Sequence, residues 1–169
     1  WSAVKAVIDT NVLLVANGLH DDVSEDCVVE CIQRLRAMQG KGIVVIDDGL
    51  RILREYQRKT SLNPPKGVGD VFLKWLLRQA GSTRVEQVSL NETADDCFAE
   101  FPDSELEPRF DVPDRKFAAV AHAHPDSPAI WQAADCKWLD WWPALRAKGI
   151  KVEFLCPADA CTFYGKKFP

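Results

Sequence analysis

The sequence predicts an α/β fold: a mostly parallel sheet of about five strands flanked by helices, three layers in all. Two observations predict it. Five short apolar runs, rich in β-branched residues, recur along the chain with the length of strands. Stretches with apolar residues at helical spacing separate them. Such alternation lays parallel strands side by side and covers the sheet with helices. A third observation concerns chemistry, because three of the five runs close directly on aspartate.

The first run, Val4 to Ile8, ends at Asp9. From Ser24 to Met38, the residues Val28, Ile32, Leu35 and Met38 repeat at helical spacing with Glu, Gln and Arg between them. Gly42 to Ile46 is the second strand and closes on Asp47-Asp48; Asp48 is read as the N-cap of a helix in which Leu50, Leu53 and Tyr56 recur. A turn-rich stretch, Thr60 to Gly69, leads to a helix over Val71 to Leu77. Arg84 to Ser89 is a weaker third strand, and Asn91 is read as the cap of a short helix reaching Phe101. Pro113 suits the first position of a helix running to about His122, since its fixed φ and missing N–H cost nothing there. Ala129 to Ala134 is the fourth strand and closes on Asp135. Trp138 to Lys148 is the last long helix, stopped by Gly149, and Ile150 to Leu155 is the fifth strand. No repeat or low-complexity tract divides the chain, so residues 1–169 are read as one domain.

A chain of 169 residues is long enough for one hydrophobic core. With 47% hydrophobic and 27% charged residues it has the composition of an ordinary globular domain. No apolar run approaches the roughly 20 residues that span a bilayer. The opening Trp1-Ser2-Ala3-Val4-Lys5 runs straight into the first strand and leaves no room for a signal peptide, so the expectation is a cytoplasmic protein without membrane partners. Trp1 is not Met, which leaves open whether residues precede it. Cysteines stand at 27, 31, 97, 136, 156 and 161. None are spaced as a zinc knuckle, and His122 and His124 complete no zinc-like set. All six are expected reduced, most of them as small core residues. The two histidines are read as helix C-terminal residues, and Trp138, Trp141 and Trp142 as packing rather than stacking platforms. A formal net charge of −4 argues against a protein that coats nucleic acid by bulk positive charge.

Parallel strands end on a common edge, and ligand sites in open α/β folds lie outside it. Asp9, Asp47-Asp48 and Asp135 therefore meet at one edge, joined by Asp114 if its helix begins there. Each aspartate has a plainer reading as a helix cap; Asp47 and Asp48 are assigned to turn and cap, and Asp140 to capping the helix at Trp141. Carboxylates about 6 Å apart at an effective dielectric near 20 repel by roughly 3 kcal/mol. A cluster of them either protonates in part or binds a divalent cation, and hard oxygen donors favour Mg²⁺ or Mn²⁺. One or two such ions can assist phosphodiester hydrolysis. Glu55 lies about 10 Å along a helix from Asp48, so it reaches this edge only if that helix crosses it. Spacing leaves that open.

Four segments together resemble PIN domains, in order and over nearly the whole chain. They are Val7-Ile8-Asp9-Thr10-Asn11-Val12-Leu13, Ile52-Leu53-Arg54-Glu55-Tyr56, Asp114-Arg115-Lys116-Phe117-Ala118-Ala119-Val120-Ala121 and Ala134-Asp135-Cys136-Lys137-Trp138-Leu139. The resemblance implies a PIN-like three-layer sandwich and a nuclease whose Asp9, Glu55, Asp114 and Asp135 bind one or two Mg²⁺ or Mn²⁺ ions. It implies Thr10 and Asn11 as supporting groups. It also implies hydrolysis of a phosphodiester, RNA before DNA, to leave 5′-phosphate and 3′-hydroxyl ends. Many short bacterial chains of this kind resemble toxins held by an antitoxin or phage-defence effectors, which implies a companion protein or a homo-oligomer. Two positions depart from the pattern: Ala134 replaces the usual hydroxyl, and Lys137 stands where a further acid is common, so a second ion is implied less strongly than a first. Asp140, just beyond, could substitute.

Asn11, Arg54, Arg58, Arg115, Lys116 and Lys137 are the candidate substrate-binding residues; Arg51, Lys59 and Lys66 extend the same basic rim. A cation beside a metal carboxylate can meet phosphate charge. The alternative is a non-catalytic PIN-like scaffold that binds nucleic acid or a partner protein. An aspartate-nucleophile phosphatase fits less well, because it needs a second acid two residues after Asp9 and position 11 is asparagine.

Overall fold

In a computed structural model, which describes residues 3–168, the chain forms a three-layer α/β sandwich. Trp1 and Ser2, part of the segment read for a leader, lie outside the described residues. Strand β1 (Lys5–Ile8) leads into helices α1 (Thr10–Ala16) and α2 (Glu25–Lys41), then β2 (Ile43–Asp47), α3 (Arg51–Lys59), α4 (Val68–Arg78) and β3 (Val85–Val88). A small hairpin, β4 (Glu92–Ala94) and β5 (Cys97–Phe98), and two 3₁₀ turns, Glu107–Arg109 and Val112–Asp114, precede α5 (Arg115–Ala123). Strand β6 (Ala129–Gln132), α6 (Lys137–Ala147), β7 (Val152–Phe154) and α7 (Pro157–Lys167) complete the chain.

The main sheet has the order β3-β2-β1-β6-β7, and every pairing in it is parallel. The chain winds outward from β1 to β3, then returns across β1 to build β6 and β7 on the other side. Crossovers between parallel strands are right-handed, so reversing direction moves the connecting helices to the opposite face. Accordingly α1, α2 and α4 pack on one another, while α5 packs on β1, β2 and β6. The reversal falls between β1 and β6, which are neighbours. It opens a crevice at their carboxyl ends, where Asp9 and Asp135 stand. The core is continuous through the sheet, with Ile8, Leu35, Phe72, Phe117, Ile130 and Trp138 all fully buried.

All five sheet strands lie within the runs that the sequence marks, give or take a residue, and Gly149, at φ +83°, ends α6 as expected. Three expectations are corrected. Asn91 starts no helix; its backbone and side chain bind the Glu100 carboxylate, and the segment folds as the β4–β5 hairpin, turning through Asp96 at φ 54°. The cap of α3 comes from Asp47, not Asp48: buried Asp47 accepts from the Arg51 and Ile52 N–H groups at 2.9 and 3.0 Å, while Asp48 takes the Ser89 hydroxyl. Asp140 lies within α6 and accepts from the Tyr164 hydroxyl of α7, so it caps nothing.

Thiol chemistry is corrected too. Cys27, in the first turn of α2, is joined by a disulfide to Cys156, at the start of α7. A sequence separation of 129 hides this proximity, which exists only because α2 crosses the sheet to the β7 end. Cys31, one turn further along α2, is buried beside them, and burial pushes its thiol up to about 12. Cys97, Cys136 and Cys161 are free thiols. Trp138 and Trp141 pack with Phe110, as expected for a packing cluster. No helix among the described residues is long and apolar enough to cross a membrane.

Candidate metal centre

Asp9 directly follows β1. Its Oδ1 accepts from the Asn11 N–H at 3.0 Å and so caps α1, and its Oδ2 accepts from the Gln132 side chain at 3.0 Å. Capping and site roles therefore coexist in one carboxylate. Gln132, fully buried at the end of β6, is the hub: its carbonyl oxygen accepts from the Asn11 side chain and from the Asp135 N–H at 3.4 Å. Asn11 in turn accepts from the Ala133 N–H. This lattice ties the ends of the two central strands together across the crevice. Sequence reading passed over Gln132, although a lone amide inside the apolar run Ala129–Ala134 was a legible signal.

Asp135 also has two functions. Its Oδ1 accepts from the Lys137 N–H at 3.1 Å at the start of α6. Asp114 closes the 3₁₀ turn before α5 and makes no capping bond to that helix. Glu55 is reached because α3 does cross the sheet edge: the Tyr56 hydroxyl donates to the Ile8 carbonyl, and the Thr10 hydroxyl donates to Glu55 Oε2. Far from being a solvated helix face, Glu55 is buried and pairs with Lys116 at 2.9 Å.

The carboxylates also act on one another electrostatically. Burial raises the Asp9 carboxyl to about 7, with Asp135 and Glu55 adding repulsion and the Asn11 and Gln132 hydrogen bonds opposing. Burial first, then repulsion from Asp9, Asp135 and Asp111, raise Asp114 to about 9, against the opposing pull of Lys116. Asp9 is thus acted on by Asp135 and Glu55, and Asp114 by Asp9 and Asp135.

The donor set suits a hard divalent ion: carboxylate oxygens, with Asp114 part-buried and free of any cap. Among the described residues, no three carboxylates bring oxygens within 4.8 Å of one another; the single trio that close is Cys27, Cys31 and Cys156. The carboxylates form no closed protein cage; a hard ion such as Mg²⁺, which keeps several waters, would suit them.

A cleft of about 510 Å³ is lined by Arg51, Arg54 and Arg58 of α3, Phe98 of the hairpin, Pro113 and Lys116; none of the four acids lines it, and it adjoins them through Pro113, next to Asp114, and Lys116, the partner of Glu55. A second, of about 350 Å³, is lined by Asn11, Asp135, His20 and Phe163 among others. Of the expected basic rim, Arg54, Arg58 and Lys116 face the first cleft. Arg115 does not: its guanidinium is buried and donates to the Phe110 and Asp96 carbonyls, so it anchors the hairpin from behind. Lys137 is half-exposed and pairs with Asp111.

Compared with family models, curated proteins and solved structures, the chain matches none.

Proposed function

We propose that this protein is a metal-dependent endonuclease that hydrolyses phosphodiester bonds, in single-stranded RNA before DNA. One observation carries the reading. Asp9, Asp114 and Asp135 come from three separate elements and act on one another electrostatically, and a cleft bearing four cations adjoins them through Pro113 and Lys116. The four motifs that resemble PIN domains carry these three acids and Glu55, and support it.

The chain's residues divide the work as follows. Asp9, Asp114 and Asp135 would hold the ion. Gln132 and Asn11 fix the rotamer of Asp9, as outer partners of metal ligands do. Arg54 and Arg58 bind the backbone phosphates, which positions a strand without reading its bases. A bound Mg²⁺ or Mn²⁺ supplies Lewis-acid stabilisation of the phosphate charge and a more acidic water. A toxin or defence-effector role, with a companion protein covering the cleft, belongs to the same proposal. The second reading, a scaffold without catalysis, is favoured by one observation: both Glu55 oxygens are already engaged.

The deciding experiment incubates the protein with labelled single-stranded RNA and DNA under Mn²⁺, Mg²⁺ or EDTA, beside Asp9→Asn and Asp114→Asn. Cleavage is expected with either ion, with none in EDTA, and reduced by on the order of 100-fold or more in each variant. Cleavage that persists in EDTA and in both variants would falsify the metal-dependent reading. Binding without cleavage of any substrate would favour the scaffold.

A further inference from the structure

Building on the metal-dependent reading above, we infer that the site takes one divalent ion and that the Lys116 ammonium stands in the place of a second. Lys116 Nζ donates to Glu55 Oε1 at 2.9 Å and also to the Pro113 carbonyl, and the Thr10 hydroxyl occupies Glu55 Oε2. The two charged side chains are only 10% and 9% exposed. Separating such a pair strands a buried charge, which is costly, so Glu55 is committed to Lys116.

The positions that could build a second ion's shell are closed. Lys137 pairs with Asp111, Asp140 is exposed and accepts the Tyr164 hydroxyl, and residue 134 is alanine. Three carboxylates remain for one ion. Together with Glu55, Lys116 and one divalent ion, the site retains a single net negative charge; a second ion would invert it. Lysine has three donors. Two are spent, and Lys116 lines the basic cleft, so the third is at hand for a phosphate oxygen.

The test counts Mn²⁺ bound by the metal-free full chain, using electron paramagnetic resonance of the free ion together with calorimetry. Wild type and Lys116→Arg are expected to bind one ion, and Lys116→Met two, because Glu55 loses its cation and recruits an ion instead. The double variant Glu55→Gln/Lys116→Met, which strands neither charge, covers the case in which Lys116→Met does not fold. It should still bind one ion, with affinity within about threefold of wild type. Two ions in wild type, one ion in a folded Lys116→Met, or a loss of tenfold or more in the double variant each overturn the assignment. Wild type that binds no Mn²⁺ sinks the metal-dependent reading and the inference with it, so the two failures are told apart.

Discussion

Asp114 and Asp9 hold protons that free carboxyls would have lost, at about 9 and about 7, through burial first and neighbouring acids second. The sign of the linkage follows. Between the unfolded value near 4 and these raised values, the folded state binds more protons than the unfolded chain, so stability falls as pH rises. Asp70 and Glu86, held low by hydrogen bonds, act in the opposite sense below that window. In EDTA the melting temperature is expected to drop between about pH 5 and pH 9, less steeply in Asp114→Asn, and the drop should shrink with saturating Mn²⁺. Melts at each pH check this; equal slopes for variant and wild type would refute it. At this scale the legible acids were those at strand ends, because a strand end has a fixed place in a parallel sheet. Glu55 was not legible from spacing, since nothing local says which way a helix runs. Arg115 was misread because an arginine beside a candidate ligand looks like a phosphate group's partner, whereas backbone carbonyls at Phe110 and Asp96 claim it.

Among the elements, the turn-rich Thr60–Gly69 segment is stapled down by one carboxylate. Asp70, at the third position of α4, accepts from the Ser61, Lys66 and Gly67 N–H groups and from the Asn17 side chain, at 2.8–3.2 Å. Asp70→Ala is expected to cost about 2–3 kcal/mol, since hydrogen bonds to a charged acceptor are among the stronger ones. Urea unfolding measures it, and a loss under about 0.5 kcal/mol would show the staple to be slack. Two helices escaped sequence reading for different reasons. The first, α1, begins one residue after β1 ends and contains two valines, so Val12 to Ala16 looks like a continued apolar run. The last, α7, carries Pro157 at its first position, a signal as good as Pro113, but has little apolar periodicity behind it. The Asn91 segment misled in the other direction. Asn-Glu-Thr resembles a cap, while the left-handed Asp96 that makes the hairpin turn is visible only in the backbone.

For the whole molecule, alternation of strands and helices was enough to anticipate a parallel α/β sheet, but not the order of strands within it. That order makes β1 and β6 neighbours and so brings Asp9 within reach of Asp135 and Gln132. It also brings Cys27 to Cys156. Reducing that disulfide, or replacing both cysteines with serine, is expected to lower stability by about 2–4 kcal/mol; melts with and without a phosphine reductant read this directly, and an unchanged midpoint would count against the bond. Cys31 should stay inert to alkylation in the native state, its thiol being buried and pushed up to about 12. The bond has one more effect, on the chain as a thread. Closed between Cys27 and Cys156, the polypeptide becomes a ring with two tails. Glu55, Asp114 and Asp135 belong to the ring together with β2, β3, β6 and β7, while Asp9 rides on the N-terminal tail, whose β1 is laid through the middle of the sheet. The acidic site is thus a seam between tail and ring. Drawing out the tail would unmake the site while the ring remained covalently whole.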